Sequence, residues 1–92
     1  MIVSFRHKGL ARFFVEGEGR RLPPRLLTRI RTILFTLGDA AEIGELDLET
    51  YRLHALKYKL KGFWSITVRA NWRIVFRFED GRAYDVDFID YH

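Results

Sequence analysis

"FWSITVRANWRIVFRFEDGRAYDVDFID", residues 63–90, is the stretch on which the fold turns. In its first run Trp64, Ile66 and Val68 alternate with Ser65, Thr67 and Arg69. In its second, Trp72, Ile74, Phe76 and Phe78 alternate with Arg73, Val75 and Arg77. A period of two over both runs predicts half-buried strands, because successive side chains of a strand point to opposite faces. Ala70-Asn71 between them reads as a tight turn, Asn being a residue that tolerates positive φ. Asp80-Gly81 is the strongest short hairpin signal, and "RAYDVDFID" returns from it. Two hairpins in succession predict an antiparallel meander whose Trp/Ile/Phe face needs cover.

The cover lies upstream. "MIVSF" opens the chain as a short apolar strand at residues 2–6. Leu10, Phe13 and Phe14 then recur at helical spacing until "EGEGRR" breaks the pattern with two glycines. Pro23 and Pro24 stand at the mouth of a second helix, where prolines are tolerated. Along it Leu26, Leu27, Ile30, Ile33, Leu34 and Leu37 form an apolar stripe, with Arg25, Arg29 and Arg31 off the stripe and Gly38 at its end. The acidic "GDAAEIGELDLET" reads as a helical turn plus loop, "YRLHAL" as a brief strand, and "KYKLKG" as a basic loop. The expected architecture is α+β, a single domain over residues 1–92, with a helical hairpin against one face of the sheet. No internal repeat or linker is visible.

Composition narrows the class. The chain is 48% hydrophobic and 15% aromatic over 92 residues, enough to fill one modest core. It has no cysteine, which excludes disulfides and thiolate metal sites and fits a reducing cytoplasm. No apolar run approaches the roughly 20 residues that span a bilayer, and "MIVSFRHKGL" lacks the features of a signal peptide. A soluble cytoplasmic domain without membrane contact is expected. Charge is segregated along the chain. Residues 1–36 hold eight bases and two acids, and 37–50 five acids and no base; residues 51–77 hold seven bases and no acid, and 78–92 one base and five acids. Separate basic and acidic zones suit a phosphate backbone on one side.

The sheet face opposite the helices carries Ser65, Thr67, Arg69, Arg73 and Arg77, with Tyr91 in matching parity. Such a face suits a polyanion, since guanidinium groups grip phosphates through two parallel hydrogen bonds. An ordinary solvated face, with Asp85 and Asp87 balancing the arginines, satisfies the same pattern. Lys59 and Lys61 of the basic loop, and Arg25, Arg29 and Arg31 of the helix, are further candidates for RNA backbone. Strict alternation through residues 82–92 would put Asp90 and His92 beneath the helices, an expensive place for unpaired polar groups. Either the strand ends or bulges near Asp90, or the chain end runs past the helices into a cleft; the second is the favoured escape.

His7, His54 and His92 match no zinc spacing, and no phosphate-loop, dinucleotide or serine-hydrolase motif occurs. Neither a metal nor a cofactor is expected. His7, just ahead of a helix, is a candidate cap. Two imidazoles, a carboxylate, a phenol and several cations nevertheless suffice for one reaction on a polyanion. RNA carries its own nucleophile, the 2′-OH, and its cleavage needs a base, an acid and cations for the charge building on phosphorus.

"HKGL" at 7–10, "EIGEL" at 42–46, "YRLHALK" at 51–57, "GFWSITVRANWRIVFRFEDG" at 62–81 and the terminal "DYH" together resemble the HigB-type toxins of the RelE superfamily. The resemblance spans the chain. It implies a twisted, mainly antiparallel sheet with two N-terminal helices packed on one face. It implies a ribosome-dependent endoribonuclease, an mRNA interferase that cuts mRNA in the A site. It also implies a HigA-type helix-turn-helix antitoxin, and contact with operator DNA only through the toxin–antitoxin complex. The family's essential positions fall on His54, Asp90, Tyr91 and His92, supported by Lys57 and Arg73. His54 and His92 would share the acid and base roles, Asp90 would orient, Tyr91 would stack on a base, and Arg73 with Lys57 would neutralise phosphate. Two rivals use the same residues: a non-catalytic RNA- or ribosome-binding module, and a degraded toxin surviving as operon co-repressor.

Overall fold

In the computed structural model, which describes residues 1–91, the two alternating runs form the centre of an antiparallel sheet. Its strands among the described residues are β1 (His54–Ala55), β2 (Trp64–Arg69), β3 (Trp72–Glu79) and β4 (Arg82–Asp90), paired in that order. Asp80 and Gly81 both adopt positive φ (50° and 75°), the mirror-image turn that suits a two-residue hairpin. In the β2–β3 turn the left-handed residue is Ala70 (φ 51°) rather than Asn71. A bulge between Thr67 and Arg69 shifts the register there and moves the tight point of the turn back by one residue.

The expected first strand is reduced to two isolated parallel bridges, Ile2 with Ala83 and Phe5 with Val86. The reason lies in β4, where Asp85 has φ 53° and the pairing with β3 slips between Val75 and Arg77. The Asp85 amide donates to Ser4 Oγ at 2.9 Å, so a side chain fills the gap in the ladder. The same bulge moves Tyr84 to the other face, while Asp90 keeps the parity of Val86 and Phe88. Tyr84 faces Arg77 on the polar side, while Val86 and Phe88 return to the core.

Helix α1 (Lys8–Glu16) begins at His7, whose Nδ1 accepts the Leu10 N–H at 3.1 Å, so the cap reading holds. It ends at Gly17 (φ 75°), whose N–H returns to the Phe13 carbonyl. Helix α2 (Leu27–Asp39) follows a 3₁₀ turn at Pro24–Leu26 and runs one residue past Gly38. Its buried residues Ile30, Ile33, Leu34 and Leu37 share one core with Leu10 and Phe13 of α1 and with Ile66, Ile74, Phe76 and Val86 of the sheet. The acidic segment forms 3₁₀ turns at Ile43–Leu46 and Glu49–Tyr51, the first closed by reciprocal bonds between Glu42 and Glu45. No helix among the described residues is long and apolar enough to cross a membrane.

Candidate active site

The pairing register arranges the polar face into rows. His54 lies beside Ser65, Val75 and Asp87, and the next row is Thr67, Arg73 and Ile89. His54 and Arg73 therefore share a face, with Cα positions about 12 Å apart from two strand spacings and two residue steps. His54 is exposed, and its Nδ1 lies 2.9 Å from the Arg52 carbonyl. A carbonyl can only accept, so Nδ1 carries the hydrogen and Nε2 is the basic nitrogen of the neutral ring.

This face is not the open surface that alternation suggested. Leu56, Phe63 and Val75 form a second apolar cluster on it, joined by Leu60 and Ile89. The basic loop is pinned across the sheet by these anchors, and Ser65 beneath it is fully buried. Ser65 Oγ, Thr67 Oγ1 and Arg73 Nε are buried with no hydrogen-bond partner among the described residues. Val75, an apolar residue between Arg73 and Arg77, was the signal in the sequence for this second cluster.

Arg73 is half-buried, and its Nη1 donates to the Ala70 and Trp72 carbonyls, which holds the guanidinium at the β2–β3 turn. Tyr91 is reached one step beyond β4, its amide bonded to the Asn71 carbonyl at 2.8 Å. The loop meets it there, and Lys57, Tyr58, Lys59, Leu60 and Tyr91 line one open groove of about 510 Å³. Asp90 faces the other way. It pairs with Trp72 and lines a small cleft with Arg25, Leu26, Arg69, Ala70, Asn71 and Trp72, past the start of α2. His92 lies outside the described residues. Lys57 and Tyr91 are thus brought together close to Arg73, Asp90 is grouped with Arg25 and Arg69, and His54 stands apart on the edge strand.

The remaining cations divide. Lys59, Lys61 and Arg31 are exposed, Arg31 with its guanidinium 5.1 Å from the centre of the Phe13 ring. Arg77 is paired with Asp85 (Nε to Oδ2, 2.9 Å) and lies over Tyr84. Arg29 does not reach outward. It donates to the carbonyls of Thr50 (2.9 Å), Thr67 (3.2 Å) and Val68 (3.4 Å) and covers the Tyr51 ring, binding α2 to the bulged end of β2. Its assignment to RNA gives way to this clamp. Arg6, which the sequence did not single out, lies with its guanidinium 5.2 Å from the centre of the Phe63 ring. No group of three or more potential metal ligands converges among the described residues.

Residues 3–92 match the family described as RelE-like toxin of type II toxin–antitoxin system HigB. The chain belongs to that family. Within it, the chain is 49% identical over 92 residues to "Endoribonuclease HigB" of Proteus vulgaris, a match covering 100% of both chains. It is 30% identical over 95 residues to "Toxin HigB-1" of Vibrio cholerae serotype O1 (strain ATCC 39315 / El Tor Inaba N16961), covering 100% of this chain and 98% of that protein. Among solved structures, the YoeB–YefM complex from Staphylococcus aureus contains a chain of similar fold. The TM-score is 0.60 at 14% identity, covering 100% of this chain and 95% of the other.

Proposed function

We propose that this HigB-family chain is an endoribonuclease toxin that enters the ribosomal A site in the cytoplasm and cleaves mRNA during translation. A HigA-type helix-turn-helix antitoxin restrains it, and operator DNA is met only through that complex. The 92 residues act as one toxin domain, with α1 and α2 backing the sheet so that the other face meets RNA. The observation that carries the reading is the meeting of Lys57 and Tyr91 in one groove close to Arg73, in a chain whose 49% identical relative is named an endoribonuclease.

The chemistry follows from the RNA. His54, with Nδ1 held by a carbonyl, offers Nε2 to take the proton of the 2′-OH. The 2′-oxygen then attacks phosphorus, and the 5′-oxygen leaves with a proton supplied by the His92 imidazolium. Arg73 and Lys57 offset the charge that accumulates on the phosphoryl oxygens, a service worth most in the transition state. Asp90 orients the chain end, and Tyr91 stacks on a base. The proton balance closes without a metal: one proton enters His54 and one leaves His92.

The test is mRNA in a translating extract with purified protein. RNA should be cut and the equivalent DNA left intact, with 2′,3′-cyclic phosphate or 3′-phosphate ends and no response to chelator. Products ending in 3′-hydroxyl, or a requirement for magnesium in the cleavage step itself, refute the mechanism. Binding without cleavage would favour the RNA-binding module.

A further inference from the structure

The basic loop holds a residue that neither the core nor the proposed chemistry uses. Tyr58 is 91% exposed, the most exposed large apolar side chain among the described residues. Its backbone is also left-handed, at φ 59°, a conformation that glycine adopts freely and that crowds a bulky side chain. The loop around it is tightly tied. Leu60 N–H reaches the Lys57 carbonyl, Lys61 N–H the Tyr58 carbonyl and Phe63 N–H the Leu60 carbonyl, while Leu60 is anchored in the second apolar cluster. An unfavourable backbone conformation, fixed by its surroundings and used to hold an aromatic ring in solvent, marks a functional position.

We propose that Tyr58 and Tyr91 are the two walls of a nucleobase site that clamps one base of single-stranded RNA next to the scissile phosphate. The inference rests on the function proposed above and adds to it a second stacking residue. Tyr91 is 38% exposed and lines the same open groove as Tyr58, whose volume of about 510 Å³ falls within the range of small-ligand sites, roughly 300–1,000 Å³. Lys57 and Lys59 line the same groove, Lys61 follows, and no acidic residue lines it. Aromatic faces interleaved with cations match a single strand, whose bases stack while its phosphates meet the ammonium groups. Lys57 belongs to both the groove and the proposed reaction centre, so a base held here sets which phosphodiester lies over Arg73.

Single-turnover cleavage against the concentration of ribosome–mRNA complex tests this, with wild type, Tyr58→Phe and Tyr58→Ala. Message carrying one abasic nucleotide at each position flanking the cut is the second variable, and a melting curve confirms that each variant is folded. Loss of one stacked base corresponds to roughly a 5- to 150-fold rise in half-saturating concentration for Tyr58→Ala. Tyr58→Phe should stay within about twofold, because the ring face is retained. At one abasic position wild type and Tyr58→Ala should converge. If Tyr58→Ala cuts like wild type, the clamp is refuted while the nuclease stands; an equal deficit at every abasic position refutes it too. Unchanged cleavage with lost co-purification of the antitoxin assigns the groove to a protein partner and also overturns the proposal. A wild-type protein that cuts no RNA overturns the function itself.

Discussion

Replacing Arg29 with alanine separates a structural clamp from a phosphate contact. The side chain donates to Thr50, Thr67 and Val68 carbonyls at 2.9, 3.2 and 3.4 Å and lies 5.1 Å from the centre of the Tyr51 ring. The longest contact is too stretched to add much. A hydrogen bond from a charged group to the part-buried Thr67 carbonyl contributes about 1.5–3 kcal/mol. The exposed contact to Thr50 adds less than about 1 kcal/mol, as solvent-screened charges do. The guanidinium over the ring adds about 0.5–1 kcal/mol. Together these give about 2–5 kcal/mol, which for a domain of this size lowers the melting temperature by roughly 8–40 °C. Arg31→Ala, exposed but with its guanidinium 5.1 Å from the centre of the Phe13 ring, should cost no more than about 1 kcal/mol. The assay is thermal and urea denaturation of both variants, paired with the salt dependence of ribosome binding at a temperature where both are folded. If Arg29→Ala melts within about 3 °C of wild type and lowers the salt slope by about 0.7, the residue is a phosphate contact and the clamp is refuted.

Arg73→Ala should slow single-turnover cleavage roughly 100- to 1,000-fold with the half-saturating concentration nearly unchanged; a change in half-saturation alone would make Arg73 a docking residue. Removing residues 90–92 should abolish growth arrest while the chain still folds, because the buried residues of β4 end at Phe88; a toxic truncated chain would show that the chain end is dispensable. Tyr58→Gly should raise stability by about 0.5–1 kcal/mol, relief of the left-handed backbone outweighing the greater entropy of the unfolded glycine chain. No gain in urea unfolding, or a loss, would mean that the φ 59° conformation carries little strain.

The sheet was legible because each strand in residues 63–90 is half-buried, and period two reports that condition directly. The stripe of α2 was legible for the same reason at period 3.6. Neither pattern could show the bulge at Asp85, which depends on a residue far away in sequence. Ser4 Oγ accepts the Asp85 amide, and Arg77 holds the Asp85 carboxylate, so the slip is stabilised by tertiary partners. That slip decides which way Tyr84 faces relative to Val86 and Phe88. Alternation counted from Tyr84 therefore grouped it wrongly with Val86 and Phe88, although the expected exit of Asp90 past the helix agrees with its cleft beside Arg25 and Leu26.

The covered polar face has a different cause. Residues 56–63, "LKYKLKGF", alternate much as a strand does, yet Gly62 (φ 96°) and Tyr58 (φ 59°) turn the chain out of extended conformation. Leu56, Leu60 and Phe63 consequently point to one side and meet Val75 and Ile89. Once those anchors are buried, the intervening side chains have only one direction left. Lys57, Tyr58, Lys59 and Lys61 are all exposed. The apolar contacts that hide Ser65 and part of Arg73 thus also present a row of three ammonium groups and one aromatic ring, with Lys57, Tyr58 and Lys59 beside Tyr91. Core formation and display of the candidate RNA surface are one event in this loop. A substitution such as Leu60→Ala, which adds no charge to the groove that Leu60 also lines, should therefore weaken RNA cleavage while every residue of the proposed chemistry is kept. It releases the anchor of the loop that brings Tyr58 into the groove with Tyr91, and the expected signature is a raised half-saturating concentration together with faster hydrogen exchange confined to residues 56–63. Unchanged half-saturation with the loop demonstrably loosened would show that its position does not matter to RNA.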